Sequence, residues 1–366
     1  MKYLTQSQIA VYGVEKDEAD YCKIRELQNC NCFDIMTKMQ NALRIVGEKI
    51  FLEDFEMESI KECSYIESKL SNLHIFQTEE MHQPTYIRKN GLIFTENSLQ
   101  WLKTVQDESV DLIFADPPYN IKKANWDKFD SQEEYIDWSL QWIGEAARIL
   151  KPTGSLYICG FSEILADLKH PSMRYFSACK WLVWHYRNKA NLGNDWGRSH
   201  ESILHFRKNK KFVLNIDEIR IPYGKHTLKY PSHPQAESSQ YANGKKTVPV
   251  WTPNPLGAKP KDVFEIPTTC NGMEEKTKHP TQKPEELLRK LILASSRVGD
   301  VVLDPFSGSG TTLVVAEQLQ RLWIGCEMNE EYNSWAIQRI DRVLSKPIEK
   351  WIEYDKENAK RRESIR

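Results

Sequence analysis

Asp116 opens the segment of this sequence whose chemistry is easiest to interpret. Asp-Pro-Pro-Tyr occupies residues 116–119, directly after the apolar run 110–115. The Asp116 carboxylate and the backbone carbonyl of Asp116 or Pro117 are hydrogen-bond acceptors, and the prolines add no N–H donor. Two convergent acceptors suit an exocyclic amino group, because they draw its nitrogen towards tetrahedral geometry and localise the lone pair. Tyr119 offers a ring on which a base could stack, although the tetrapeptide alone could also be a strand-ending turn.

A second motif reads Asp-Pro-Phe-Ser-Gly-Ser-Gly-Thr-Thr over residues 304–312, after the apolar run 301–303. Its glycines permit a tight turn and a close approach of the backbone to a ligand. It is not a phosphate-binding loop, because no lysine follows the glycines, and it lacks the GxGxxG spacing. Residues 322–326 form a further apolar run that ends at Glu327, where an acid is placed to hold ribose hydroxyls.

Strands must position these side chains. The short apolar runs are rich in β-forming residues, which predicts buried strands at 110–115 and 301–304. In open α/β sheets, ligands bind at the carboxyl ends of strands, and the two prolines send the chain out of the sheet as an extended loop. The same patterns predict further strands at 92–94, 155–158 and 322–327, a hairpin of 180–188 with 202–207, and helices at 135–150, 285–295, 313–319 and 331–344.

The two motifs together resemble those of the amino-group DNA methyltransferases, which methylate adenine N6 or cytosine N4. Asp-Pro-Pro-Tyr looks like their catalytic motif, and Asp-Pro-Phe-x-Gly-Ser-Gly-Thr looks like their S-adenosylmethionine motif. Because the catalytic motif precedes the cofactor motif, the order resembles the β class. The resemblance covers about residues 88–345. It implies a Rossmann-like α/β fold with a mostly parallel sheet and one antiparallel hairpin, in which the two Asp-ending strands lie side by side.

The resemblance also assigns residues. Asp116, Pro117, Pro118 and Tyr119 are expected to be catalytic. The expected cofactor-binding residues are Asn97, Asp116, Thr281, Lys283, Asp304, Phe306, Gly308, Ser309, Gly310, Thr311, Thr312 and Glu327.

Two of these assignments depend on neighbouring sequence. Lys283 lies in His-Pro-Thr-x-Lys-Pro at residues 279–284, a segment that folds over the methionine end of the cofactor in the family, so Lys283 could pair with the cofactor's carboxylate. The family usually has Gly-Asp where this chain has Glu96-Asn97. The Asn97 carbonyl can accept the same hydrogen bond from the cofactor's adenine without charge, or Asn97 could belong only to a helix N-cap.

Composition limits the remaining possibilities. The chain has 366 residues and a net charge of −1, so any DNA-binding surface must be local. Its eight cysteines are scattered, and no N-terminal apolar signal or membrane-length run is present, which favours a cytoplasmic protein, bacterial if the resemblance holds. Four cysteines at 22, 30, 32 and 63 lack the paired spacing of a zinc site, and no metal is predicted.

One segment is strongly basic. Residues 207–261 carry eleven lysines and arginines against three acids, with seven prolines. Long irregular segments in compact proteins are usually functional or disordered. A basic insertion with interspersed aromatic residues suits DNA contact, and the family has its target-recognition region here; a solvated insertion is the plain alternative. The predicted division is therefore a helical extension at 1–85, a catalytic half at 86–206, this insertion at 207–275, a cofactor-binding half at 276–345 and a charged tail at 346–366.

The sequence thus predicts an enzyme that moves a methyl group from S-adenosylmethionine to the N6 amine of an adenine flipped out of double-stranded DNA. Cytosine N4 is the main alternative, although Asp at the first motif position leans to adenine in the family. RNA is a weaker alternative substrate, and a non-catalytic DNA-binding protein on the same fold is a further one. Cytosine-C5 methylation is excluded, because that family uses a Pro-Cys nucleophile and no proline here precedes a cysteine. The family setting suggests a restriction endonuclease that shares the site without stable contact, and a monomer or homodimer.

Overall fold

The computed structural model describes residues 84–88, 90–120, 129–187, 194, 196–234 and 250–344. The predicted helical extension, apart from residues 84 and 85, lies outside the described residues. So do the four N-terminal cysteines and the charged tail.

Eleven strands are assigned within the described residues. They are β1 (Tyr86–Arg88), β2 (Gly91–Phe94), β3 (Val110–Ala115), β4 (Leu150–Gly160), β5 (Ala178–His185), β6 (His200–Arg207), β7 (His233–Pro234), β8 (Val250–Trp251), β9 (Val263–Glu265), β10 (Val301–Asp304) and β11 (Leu322–Cys326).

Nine of these strands form one sheet in the order β1-β2-β11-β10-β3-β4-β6-β5-β9. The run from β2 to β4 is parallel throughout. β3 and β10 are neighbours, with Leu112 opposite Val302 and Ile113 opposite Leu303. This confirms that the two Asp-ending strands lie side by side and deliver Asp116 and Asp304 to the same edge. Strands from both predicted halves share this sheet.

The predicted hairpin is confirmed as β5 and β6, which pair antiparallel from Ala178 opposite Arg207 to His185 opposite His200. The expectation of a single antiparallel hairpin is too simple, because β1 also pairs antiparallel with β2. β1 has three residues, too few for its alternation to stand out in the sequence. β7 and β8 form a separate two-stranded sheet within the basic insertion.

Seven α-helices are assigned in the described residues. They are α1 (Ser98–Leu102), α2 (Gln132–Ile149), α3 (Ser162–Ser172), α4 (Lys225–Lys229), α5 (Glu285–Ser295), α6 (Thr311–Gln318) and α7 (Glu330–Leu344).

Among the boundaries that differ from the predicted ones, two have clear local reasons. α2 begins three residues before Tyr135, because the Ser131 side chain caps it by accepting a hydrogen bond from the Glu134 N–H. β4 begins at Leu150 and includes Pro152, where the sequence predicts a break. Pairing between β3 and β4 shifts register between Val110 and Leu112, and this irregularity accommodates the proline at the start of the strand.

The core has two apolar layers, one on each face of the sheet. Side chains of β3 alternate between them: Ile113 packs in one layer, and Leu112 and Phe114 pack in the other. The first layer is closed by α1, α2 and α3, and the second by α5, α6 and α7. Helices on both faces of a mostly parallel sheet confirm the predicted Rossmann-like α/β fold. Within the described residues, every helix is too short or too polar to cross a membrane.

Candidate active site

Asp116 leaves the sheet at the end of β3 and is held by two donors. The Lys283 ammonium donates to Oδ2 at 2.6 Å, and the Tyr119 hydroxyl donates to Oδ1 at 2.5 Å. Lys283 comes from the segment before α5, so the ion pair joins the predicted catalytic motif to the predicted cofactor-binding half. Both carboxylate oxygens therefore have a hydrogen-bond partner.

A second carboxylate, that of Glu201 on β6, faces the same donors. Its Oε2 lies 3.3 Å from the Tyr119 hydroxyl, 3.5 Å from the Lys283 ammonium and 3.6 Å from Cys159 Sγ. Glu201 is buried. Sequence reasoning missed it, because the predicted strand began at Ser202; an acid beside an apolar strand was the available signal.

Burial and charge set the protonation of this cluster. Burial raises the pKa of Asp116; the Lys283 ammonium opposes that rise, and Glu201 adds to it. Burial lowers the pKa of Lys283, but Asp116 and Glu201 outweigh it, so the net shift is upward and the ammonium stays charged. Burial, followed by the charge of Asp116, raises the pKa of Tyr119 well above its usual value, so its hydroxyl remains a donor.

Tyr119 is less accessible than stacking on a base would suggest. The residue is 8% exposed, and its ring meets Phe161 edge-on with centroids 5.0 Å apart. The guanidinium of Arg198 covers Phe161 at 3.7 Å from the ring centroid. Stacking of a base on Tyr119 stays a prediction.

The loop after β10 is built around Asp304. The Phe306 N–H donates to Asp304 Oδ1 at 3.0 Å, and the Thr312 hydroxyl donates to Oδ2 at 2.5 Å. Burial raises the pKa of Asp304 to about 7, although both hydrogen bonds act in the opposite direction. Gly308 and Gly310 have φ of +50° and +73°, a region that glycine enters without steric cost.

Glu327 follows β11 and ties that strand to the loop. Its Oε2 accepts a hydrogen bond from the Gly308 N–H at 2.9 Å, and its Oε1 accepts one from the Asn329 N–H at 2.9 Å. Glu327 thus stands at the carboxyl end of the strand next to β10, as predicted.

A cavity of about 240 Å³ unites these groups. Most of the predicted site residues line it: Asn97, Asp116, Pro118, Thr281, Lys283, Asp304, Phe306, Gly308, Ser309, Thr311, Thr312 and Glu327. Pro117, Tyr119 and Gly310 do not line it directly. Phe129 and Trp138 add an aromatic wall that the sequence did not identify.

A match to a family profile shows which protein family this chain belongs to. The sequence profile of the DNA methylase family of N6 and N4 enzymes matches residues 110–338, which include β3, most of the residues that line the cavity and most of α7. The chain belongs to this family.

Similar proteins agree with the assignment of this DNA methylase. The type II methyltransferase M1.MboII of Moraxella bovis is 38% identical over 251 residues, covering 64% of this chain and 91% of the relative. The DNA adenine methyltransferase YhdJ of Escherichia coli is 36% identical over 249 residues, covering 67% of this chain and 81% of the relative. The solved structure of the cytosine-N4-specific PvuII DNA methyltransferase superposes with a TM-score of 0.54 at 20% identity, over 72% of this chain and 93% of that one, and shows the shared fold.

Two of the residues predicted to contact the cofactor have partners within the methylase. Lys283, expected to pair with the cofactor's carboxylate, forms an ion pair with Asp116, and its contact with the cofactor stays a prediction. The Asn97 side chain accepts hydrogen bonds from the N–H groups of Leu99 and Gln100, which makes Asn97 the N-cap of α1. Its contact with the cofactor's adenine stays a prediction.

Arg339 of α7 supports the methylase's glycine-rich loop and was missed in the sequence. Its Nη1 donates to the Ser309 carbonyl at 2.8 Å and to the Thr311 hydroxyl at 2.9 Å. Its Nη2 donates to Glu285 of α5 at 2.8 Å. This buried arginine fixes the loop relative to two helices.

Proposed function

We propose that this DNA methylase is a site-specific methyltransferase that moves a methyl group from S-adenosylmethionine to the N6 amine of adenine in duplex DNA. The observation that carries the proposal is that Asp116 and the Asp304 loop end neighbouring parallel strands and line one cavity. This arrangement supports the proposal, because an acceptor for the amine and a loop for the cofactor would then share one space.

The residues of the cavity fit S-adenosylmethionine, which supplies a methyl group activated by a positive sulfonium. Glu327 is placed to accept hydrogen bonds from ribose hydroxyls. Phe306, which packs edge-on against Trp142 with centroids 5.2 Å apart, offers an apolar surface for the adenine ring. Asp116 and Asp304 line the cavity, and their carboxyl groups, when ionised, suit a cationic ligand.

The catalytic motif would act on the flipped base. Asp116 and the Pro117 carbonyl would accept the two hydrogens of the amine and localise its lone pair. Flipping costs roughly a few kcal/mol, which protein contacts to the DNA must offset. Holding the amine in a fixed orientation supplies much of the rate gain by positioning, and no covalent intermediate with the protein is required.

Adenine is favoured over cytosine by two observations. The motif begins with Asp116, and Asp at this position leans to adenine in the resemblance described above. YhdJ, a relative of 36% identity, is named a DNA adenine methyltransferase. M1.MboII and M.HpaI of Haemophilus parainfluenzae are named type II methyltransferases, which supports a restriction–modification setting. Cytosine N4 is the alternative within the same family.

The deciding experiment is incubation of the full chain with unmethylated duplex DNA of mixed sequence and methyl-labelled S-adenosylmethionine. The DNA is then digested to nucleosides. We expect the label in N6-methyladenosine. Label in N4-methylcytidine would replace the base assignment, and absence of label from DNA despite bound cofactor would overturn the proposed activity.

A variant tests the role of the motif. Asp116→Ala removes one acceptor for the amine and leaves Lys283 with Glu201, so we expect methyl transfer to fall by at least about 100-fold, the cost of misplacing a reacting group, while cofactor binding remains measurable by calorimetry. Asp137→Ala, on the exposed face of α2, is the matched control and should keep the wild-type rate. An active Asp116→Ala variant would contradict the proposal.

A further inference from the structure

The two donors that hold Asp116 share a second acceptor. Tyr119 is 2.5 Å from Asp116 and 3.3 Å from Glu201, and Lys283 is 2.6 Å from Asp116 and 3.5 Å from Glu201. Both longer contacts end on one atom, Oε2 of Glu201. Each donor therefore lies between two carboxylates and is closer to Asp116 by less than an ångström.

This arrangement matters because Tyr119 and Lys283 occupy the Asp116 oxygens that the target amine needs as acceptors. Each oxygen of Asp116 already receives a short, charge-assisted or hydroxyl hydrogen bond. An ionised carboxylate has about four lone-pair sites. One site on each Asp116 oxygen is already taken, so fewer directions remain for a further N–H group. A shift of Tyr119 and Lys283 towards Glu201 would release Asp116 while keeping both donors satisfied.

We propose that Glu201 is a positioning residue that takes over Tyr119 and Lys283 when the target amine engages Asp116. This inference rests on the proposed function and deepens it, since it concerns the acceptor for the same amine. Glu201 acts through the two donors, and Asp116 remains the residue that touches the substrate.

The surroundings of Glu201 suit this role. The side chains of Lys283 and Glu201 are 6% and 11% exposed, so water cannot readily replace either carboxylate as the partner of the ammonium. β6 pairs with β5 at Trp184 opposite Glu201 and with β4 at Gly160 opposite Ser202. Strands on both sides fix the Glu201 backbone, so Glu201 offers a fixed anchor towards which the two donors can shift.

Charge supports the same reading. The cluster contains two carboxylates and one ammonium, which leaves an excess negative charge beside the site where positive charge is transferred to the amine. Without Glu201, Asp116 and Lys283 would neutralise each other, and the ammonium would stay on the carboxylate that the amine needs. The charge of Lys283 is maintained, because the two acids keep its pKa above the usual range despite burial, which opposes them.

The first test is Glu201→Gln in the full chain, with saturating labelled S-adenosylmethionine and the DNA that the wild type methylates. We expect kcat to fall about 100-fold, as for a misplaced reacting group. The KM for DNA and the calorimetric affinity for S-adenosylmethionine should each change less than about twofold, well below the tenfold change that corresponds to about 1.4 kcal/mol. Glu133→Gln, an exposed residue of α2, makes the same chemical change as a control and should leave kcat unaltered. A wild-type kcat in Glu201→Gln would overturn the inference, and so would a matching loss of cofactor affinity.

The second test needs no activity and separates this inference from the proposed function. Melting temperatures are measured for the wild type, Asp116→Asn, Glu201→Gln and the double variant. If both acids serve Lys283, either one can hold the buried ammonium after the other is lost, and only the double variant leaves it unpaired. We expect the melting temperature of the double variant to fall by several degrees more than the two single-variant decreases added together. Additive shifts would overturn the shared acceptor even if the wild type methylates DNA, and non-additive shifts would support it even if the wild type does not.

Discussion

At Gly310, both the backbone conformation and the packing constrain the glycine-rich loop after β10. Gly310 precedes α6 with φ of +73°, and a Cβ built on it would lie 2.5 Å from Ala336 Cβ of α7. The first property disfavours any L side chain by sterics. The second means that α7 lies so close to the loop backbone that no side chain fits at position 310.

We expect Gly310→Ala to lower the free energy of unfolding by roughly 2–6 kcal/mol, the sum of left-handed strain and overpacking. Binding of S-adenosylmethionine should weaken with it, because the loop must shift. Gly272→Ala is a matched control, since Gly272 has φ of +89° but no atom within 4 Å of its added Cβ. Urea titrations of both variants isolate the packing cost, and equal losses in the two would contradict it.

The residues also show where sequence reasoning reached its limit. Asp116, Asp304 and Glu327 were predicted because each directly follows an apolar strand, and the end of a strand fixes where the next side chain goes. The partner of Lys283 was not predictable in this way, because that pairing joins residues 167 positions apart. Glu201 stood just before the predicted strand, and its partners on β4, in the segment before α5 and in the loop after β3 are also remote in sequence.

At the scale of elements, α7 supports the glycine-rich loop after β10. Its buried face presents Ala336, Arg339 and Ile340, at the spacing of one side of a helix. Ala336 lies against Gly310, and Arg339 reaches the Ser309 carbonyl and Glu285 of α5. The helix thus locks α5, α6 and the loop into one unit.

We expect Arg339→Met to destabilise the fold by about 3–5 kcal/mol, because it leaves the buried Glu285 carboxylate without its ionic partner. The double variant Arg339→Met/Glu285→Gln removes that lone charge and should recover a large part of the loss. Both should bind S-adenosylmethionine more weakly than the wild type, since the Ser309 contact is absent from each. Chemical denaturation and calorimetry measure the two effects, and a double variant no more stable than the single would contradict the electrostatic explanation.

The elements themselves were predictable to different degrees. α5 was placed from its sequence at Glu285–Ser295, because its apolar spacing and acidic first turn are both local features. The extended β4 could not be anticipated, since pairing with β3 at Leu150 and again at Ser155 carries the strand across Pro152. The two-residue strands β7 and β8 likewise depend on each other and leave no periodic pattern in the sequence.

At the scale of the whole molecule, charge is the property that must be reconciled with a DNA substrate. The chain has a net charge of −1, so attraction to phosphates must come from a local surface. Within the described part of the basic insertion, Lys225 and Lys229 of α4 are exposed and one helical turn apart. Residues four apart share a helix face, which lets both lysines approach one strand of DNA.

We therefore expect Lys225→Ala/Lys229→Ala to weaken binding of duplex DNA without changing the affinity for S-adenosylmethionine. If each lysine neutralises one phosphate, the slope of log K against log salt should become shallower by about 2. The control Lys103→Ala/Arg174→Ala also removes two exposed positive charges, but outside the insertion, and should leave the slope near its wild-type value. Fluorescence anisotropy at several salt concentrations measures all three proteins. If the slope became shallower by the same amount in both variants, net charge rather than its placement would govern DNA binding. If neither slope changed, the two lysines of the insertion would not carry the contact.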